Sequence, residues 1–494
     1  MAGVRQTPPT ARRSSVELRK TRRRRGQLGA LLAIAGAVAL SGETARASAA
    51  VSVASPVVQQ AIDAVVAKNR QIYGGTTPVP GVLIGVWDAN GASYIRGFGS
   101  ADLAARVPLG PADHFRVGSN TKTFVISVLL QLVDEGKLGL DDPLSKFSLG
   151  VTVPNAQNIT VRELCEMRSG LFEAYDTPEI NAMHITPDTV FDPRQVIRWA
   201  VAQKPVFPPG TGYNYSNTNY LLLGLIIESI THRSIGDEIR SRLLERFDLT
   251  DTSYPTTQAM PEPWAHGYAL NEKRGWDDVS NTIPVSLMGA AGEIISNLAD
   301  MKRWVELYVT GTTNGRATQQ ARLDCIPIGI GNVSFGLGIA CSAGWYGYTG
   351  GLPGYNTAGY YFPAEKITVI DWVTLQADTP PPGVANAILA QIAAIMTPEN
   401  KPFVVPPPKP AAAPTSGAVP AFASSSRQAR EPIWDCEDGG PETIRTSGLC
   451  LRRATLYPAE LRVLRVPKDA RTPLPGTACH EKGPKIHYPP WARM

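Results

Sequence analysis

The chain has 494 residues, with 48 Lys and Arg against 43 Asp and Glu and a formal net charge of +5. The excess of base sits at the two ends: without residues 1–49 and 401–494, the body keeps 24 bases and 33 acids, a net of −9. An acidic body offers no electrostatic footprint for nucleic acid, so none is expected as a partner.

Residues 1–49 run basic, then apolar over Leu28 to Leu40, then small at Ala47-Ser48-Ala49. This is the order of a secretory signal peptide. The apolar stretch is shorter than a usual membrane span, so no stable span is expected after cleavage. Paired arginines ahead of it leave a twin-arginine route open, and an uncleaved anchor is the alternative. The mature protein is expected to be secreted or held in the cell envelope.

The spacing of apolar residues in "SPVVQQAIDAVVAKNRQ" (55–71) predicts an amphipathic helix. "GVLIGVWDANGASYIRGFG" then reads as two strands joined at Asn90-Gly91, a hairpin signal. A buried helix is expected from Ser119 to about Gly136. Residues 140–330 read mainly as helical patches broken by Gly/Pro turns, among them "NYLLLGLIIESI" (219–230). From 335 the runs "FGLGIAC", "WYGYTG", "TAGYYFP" and "KITVIDWVT" are β-rich, and "VANAILAQIAAIM" (384–396) closes as a helix. Helix and strands at the front thus rejoin strands and a helix at the back. The expected fold class is α+β: an antiparallel β-sheet flanked by helices, with a mostly helical region inserted. The domain occupies 50–400. Residues 401–426 are a Pro/Ala-rich linker. Residues 427–494 show no amphipathic period and are read as an unfolded tail. Codons for "LYPAELR" (456–462) can be chosen so that the opposite strand resembles the start of a transfer-RNA gene, so the tail is read as translation across such a gene.

Between Arg116 and Asp134 the only charged residue is Lys122. It falls on the first turn of its helix, where the dipole disfavours a cation. Ser119 lies three residues before it, on the same helical face. A serine hydroxyl needs a base to become a nucleophile, and desolvation lowers a lysine's pKa until it can serve. Taken alone, the pair reads as well as a helix cap beside a lysine that snorkels to water. Tyr215 and Asn217, in "FPPGTGYNYSNTNYLLLG", add a proton relay and an amide. Gly350 and Gly351, in "WYGYTGGLPGY", add exposed backbone N–H groups that pair with that of Ser119 as an oxyanion hole. No G-x-S-x-G is present, and His114, His184, His232 and His266 read as structural residues. Cysteines are few; Cys325 and Cys341 can bridge in an oxidising compartment. Neither cofactor nor metal is expected.

Ser119-x-x-Lys122, Tyr215-x-Asn217 and Tyr348-Thr349-Gly350, in this order, resemble the penicillin-binding-protein-like serine hydrolases, in the branch of class C β-lactamases and D-alanyl-D-alanine carboxypeptidases. "GFGSADL", "LVDEGKLGLDDPL", "ITVRELCEMRSGL" and "GEIISNLADMKRW" are similar to other stretches of that family, and the likeness covers about 55–400. The resemblance implies that Ser119 is acylated and that Lys122 takes its proton or holds the network for Tyr215. It implies that Tyr215 passes the proton to the leaving group, that Asn217 contacts the substrate amide, and that Thr349 touches a substrate carboxylate. Ser119 and Gly351 would supply the oxyanion N–H groups. The implied substrate is a small molecule or a peptidoglycan peptide. One position departs from the pattern: the third motif usually begins with Lys or His, and here begins with Tyr348. The expected activity remains that of a D-alanyl-D-alanine carboxypeptidase or β-lactamase-like enzyme; Tyr348 raises the share of the first alternative, a carboxylesterase on small acyl esters, and a non-catalytic wall-binding relative is the remaining alternative.

Overall fold

The computed structural model describes residues 51–74, 77–271, 275–375 and 383–404, so the leader, the tail and most of the linker lie outside the described residues. β1 (Gly81–Trp87) and β2 (Ser93–Asp102) pair antiparallel from Gly81↔Gly99 to Trp87↔Ser93, the hairpin expected around Asn90-Gly91. Its connection is longer than a two-residue Asn-Gly turn, because Asp88 Oδ1 accepts the N–H groups of Asn90 and Ala92 and closes a wider loop. β3 (Val107–Pro108) pairs with β2.

The other strands come from the back of the chain. They are β4 (Ile326–Ile330), β5 (Val333–Phe335), β6 (Ala340–Ser342), β7 (Trp345–Leu352), β8 (Tyr355–Phe362) and β9 (Ile367–Val373). Among the described residues, nine strands form one antiparallel sheet in the order β3-β2-β1-β9-β8-β7-β6-β5-β4. β9 lies beside β1, from Val82↔Val373 to Trp87↔Thr368, which is how the front and back of the chain meet. β4 and β5 occupy residues 326–335, at and ahead of the point where β-rich runs were expected to begin, and were not expected. Their sequence "IPIGIGNVSF" carries Pro and Gly in place of a β-rich run, and a disulfide between Cys325 and Cys341 ties them to β6, with the two Cα atoms 6.5 Å apart.

Helices cover both faces. α1 (Pro56–Gly74) and α5 (Val384–Met396) pack on one, burying Ile62, Val66, Val369, Val373, Ile388 and Ile392. α2 (Thr121–Asp134), α3 (Asn217–Thr231) and α4 (Leu298–Thr310) belong to the other, with Phe124, Leu129, Ile226, Ile370 and Trp372. Strand alternation divides β9 between these two cores. The fold is α+β, with the mostly helical region inserted between β3 and β4. That region is less helical than its pattern suggests. It also holds two small ribbons, Phe115–Arg116 with Ile295–Ser296 and Tyr268–Leu270 with Trp276–Asp278.

One residue of β9 breaks the apolar rule. Asp371 is 0% exposed and has no ion-pair partner among the described residues. Burial holds its carboxyl well above the usual carboxylate range. The folded protein therefore keeps this proton, while the unfolded chain releases it above about pH 4. Stability accordingly falls as pH rises past that point, by up to about 1.4 kcal/mol per pH unit from this group. Asp371→Asn removes the effect. Thermal unfolding of the two proteins from pH 4 to pH 8 should show the variant gaining on wild type as pH rises; a constant difference would contradict the assignment.

Candidate active site

Ser119 lies in a tight turn, Gly118–Asn120, that leads directly into α2. The sheet is built to receive this turn. Pairing of β6 with β7 ends at Ala340↔Gly347, so residues 348–352 of β7 have one free edge. Backbone packs on backbone there. A Cβ on Gly118, whose φ is +54°, would come within 2.9 Å of Gly351 N, and one on Gly350 within 2.0 Å of Val117 O. Only glycine allows that approach. Thr357 on β8 fastens the turn: its hydroxyl donates to Val117 O at 2.9 Å and accepts from Asn120 Nδ2 at 2.9 Å. The Gly351 N–H thus stands beside the nucleophile turn, where the oxyanion-hole reading needs it.

Lys122 is 0% exposed and does not snorkel. Its Nζ donates to Ser119 Oγ at 2.9 Å, to Asn217 Oδ1 at 2.7 Å and to Ala291 O at 2.6 Å. Three acceptors match the three protons of an ammonium group. The rings of Tyr215 and Tyr220 lie 5.1 and 5.3 Å from Nζ. Burial nevertheless lowers the Lys122 pKa to about 7, against a smaller opposing pull from Glu173. In the neutral amine, Asn217 Oδ1 and Ala291 O can hold the two remaining N–H groups, which leaves the lone pair for the Ser119 hydroxyl.

Tyr215 donates its hydroxyl to Ser119 Oγ at 2.8 Å. Burial pushes this phenol well above its ordinary value, so it stays protonated. That separates the two roles the motifs left open: Lys122 suits the base and Tyr215 the proton donor. Tyr348 is buried on β7, its hydroxyl beside that of Tyr215 and its ring edge-on to Phe335 at 5.8 Å. It too remains a neutral phenol. The structure therefore gathers Ser119, Lys122, Tyr215, Asn217 and Tyr348 around one hydroxyl, with the backbone of Gly350 and Gly351 against the turn. Thr349 is half-buried, and strand alternation sets its side chain on the other face of β7 from Tyr348.

Two participants have no counterpart in the motifs. Ala291 acts through its carbonyl, which no residue type encodes. Glu173 is 4% exposed and accepts Asn217 N at 2.5 Å, Asn217 Nδ2 at 2.9 Å and Tyr175 N at 3.1 Å. These bonds turn the Asn217 amide so that its oxygen faces Lys122, leaving one Nδ2–H to meet a substrate. Desolvation pushes the Glu173 carboxyl up to about 7. An acid inside the apolar run "LFEAY" was the available signal. His266 belongs elsewhere, between Asp278 at 2.6 Å and Asp102 at 3.6 Å. Among the described residues no cluster of His, Cys, Asp and Glu is arranged to hold a metal, and no helix is long and apolar enough to cross a membrane.

A serine hydroxyl held between a buried lysine and a protonated tyrosine, on the edge of this sheet, defines a serine hydrolase. The chain belongs to the beta-lactamase family, whose model matches residues 58–394. Among curated proteins it is 28% identical to protein flp of Staphylococcus aureus (strain N315) over 257 residues, 51% of this chain and 49% of that protein. It is 26% identical to the putative penicillin-binding protein PbpX of Bacillus subtilis (strain 168), over 57% of this chain and 67% of that one. The chain thus spans about half the length of the first of these relatives. Among solved structures it resembles a D-stereospecific amidohydrolase from Streptomyces sp., with 29% identity, a TM-score of 0.59, and coverage of 69% of this chain and 98% of that one. It shares its fold with the D-amino acid amidase of Ochrobactrum anthropi SV3, at 22% identity and a TM-score of 0.61, over 69% of this chain and 99% of that one.

Glu173→Gln tests the support beneath Lys122. Glutamine brings an N–H₂ group to where a carboxylate accepts three N–H groups, so a buried donor loses its partner and nitrophenyl acetate turnover should fall about tenfold or more. With the countercharge gone, Lys122 deprotonates at lower pH, so the acidic limb of the rate profile should move below its wild-type position near pH 7. An unmoved limb would reduce Glu173 to a packing role.

Proposed function

We propose that the protein hydrolyses small amides or esters that lack a free carboxylate, outside the cytoplasm, through an acyl-enzyme on Ser119. The observation that carries the reading is the buried neutral Tyr348 beside Tyr215, where the third motif ordinarily supplies a cation. A substrate that ends in a free carboxylate gains no charge-assisted contact from it, a loss of about 1.5–3 kcal/mol. The likeness to a D-stereospecific amidohydrolase supports an amide as the scissile group. The leader-like residues 1–49 and the Cys325–Cys341 disulfide support an oxidising, extracytoplasmic setting.

The chemistry follows from the contacts. Neutral Lys122 takes the Ser119 proton as Oγ attacks the carbonyl carbon. The Ser119 and Gly351 N–H groups receive the oxyanion. Tyr215 gives its proton to the departing amine or alcohol, and the proton that Lys122 took from Ser119 restores the phenol, so acylation ends with Lys122 neutral and Tyr215 protonated. Water then repeats the path in reverse to free Ser119.

Labelling by a fluorophosphonate probe should occur in wild type and vanish in Ser119→Ala; no labelling of either protein would favour a non-catalytic binding relative. On one preparation, a nitrophenyl ester and a D-amino acid amide should outpace a D-Ala-D-Ala peptide and a chromogenic cephalosporin. The reverse order would assign the carboxypeptidase or β-lactamase activity in place of the one proposed. Tyr348→Lys should raise turnover of the two carboxylate-bearing substrates by about tenfold or more. Equal turnover before and after the change would count against the role given to Tyr348.

A further inference from the structure

The 289–293 segment that supplies the Ala291 carbonyl has a second neighbour. A cavity of about 630 Å³ lies against it, bounded by α3 and by residues of the 234–256 stretch. Its depth is apolar: Leu221, Leu249 and Ala290 are each 5% exposed or less. Its mouth carries the exposed residues Glu245 and Asp248. The volume and the lining are those of a small-molecule site, apolar walls with a few placed polar groups. None of the catalytic side chains lines it.

Its charge is one-sided. Glu228, Asp237, Glu245, Asp248 and Glu293 line the cavity, and Arg240 is the sole base among the lining residues. That arginine is already engaged with Asp237 at 2.5 Å and Glu245 at 3.7 Å. Glu293 is the telling member. It is 7% exposed and hydrogen-bonds the Tyr254 hydroxyl, also in the lining. The cation acting on it is Arg116, whose Nε donates to Ser280 O at 3.3 Å and whose Nη2 donates to Gln258 O at 2.9 Å and Asn281 Oδ1 at 3.0 Å, with no ion pair to Glu293 among the described residues. A carboxyl taken from water without an ion-pair partner is costly, and the hydrolytic mechanism makes no use of this one. Desolvation pushes its pKa up to about 8, so an entering ammonium group would find a site that gains by ionising.

We propose that this cavity is a binding site, separate from the catalytic cleft, for a small organic amine whose apolar body packs on Leu221 and Leu225 and whose ammonium group meets Glu293. Charge complementarity selects the amine over a neutral or acidic ligand of the same shape. The ligand lies against Ala290, next in the chain to the carbonyl that holds Lys122.

Calorimetric titration of the wild-type protein with 4-phenylbutylamine, 4-phenylbutanol and 4-phenylbutyrate tests this. The amine should bind about tenfold or more tightly than the alcohol, and the acid more weakly than either. Glu293→Gln should remove the preference for the amine. Leu225→Trp, which fills the cavity and leaves the catalytic residues in place, should abolish binding of amine and alcohol alike. Absence of amine binding at millimolar concentration, equal affinity for the three ligands, or amine affinity unchanged in both variants would overturn the proposal. The last result would place the amine in the catalytic cleft. The ligand series on wild type supports or overturns the site even if a variant fails to fold, and none of these readouts depends on which substrate the enzyme hydrolyses.

Discussion

An amine with no access to water governs this structure. Lowering the Lys122 pKa from an ordinary lysine value of 10.5 to about 7 corresponds to roughly 5 kcal/mol against its charged form. The cost arises from the place of Lys122 in the chain. It sits on the first turn of a helix buried on nearly every side, where water cannot follow and the dipole opposes a cation. Asn217 Oδ1 and Ala291 O keep the nitrogen in position in either protonation state. Ser119 Oγ is the one partner whose bond can reverse, with the hydroxyl donating and the nitrogen accepting.

The rest of the fold keeps that nitrogen aimed. α2 brings Ser119 and Lys122, α3 begins at Asn217, and the 289–291 turn brings the carbonyl. Each comes from the inserted helical region. The sheet supplies what helices cannot, a straight backbone edge that approaches the nucleophile turn closely enough to meet an oxyanion. Glycine at 118 and 350 permits this approach, and Thr357 fixes its depth. Glu173 works one layer further out. It orients an amide and moderates the loss of charge on Lys122, so that the amine is poised near neutrality and not driven far below it.

Legibility in the sequence followed residue type. Ser119, Lys122, Tyr215, Asn217, Tyr348 and Gly351 are chemically specific, and their spacing on helix, loop and strand could be read directly. The sheet was legible where strands alternate or run apolar, as in β1 and β9, and illegible in β4 and β5, where Pro and Gly dilute the pattern and a disulfide supplies the constraint. Glu173 was missed because an isolated acid is ordinarily solvated, and only its three N–H partners, two of them on Asn217, 44 residues away, explain its burial. Ala291 was beyond reach, since a carbonyl's direction depends on the turn and not on the side chain. Asp371 was read as part of a β-rich run, and its lack of an ion-pair partner among the described residues shows only once α5 is packed on the sheet.

The central claim is that Lys122 loses its charge near neutral pH in the folded protein. Nuclear magnetic resonance of protein carrying ¹³C at the lysine ε position reports this directly, with Lys122 assigned by its absence from Lys122→Arg. One lysine signal should titrate with a midpoint near pH 7. A Lys122 signal that stays charged to about pH 10, as in ordinary lysines, would contradict the account.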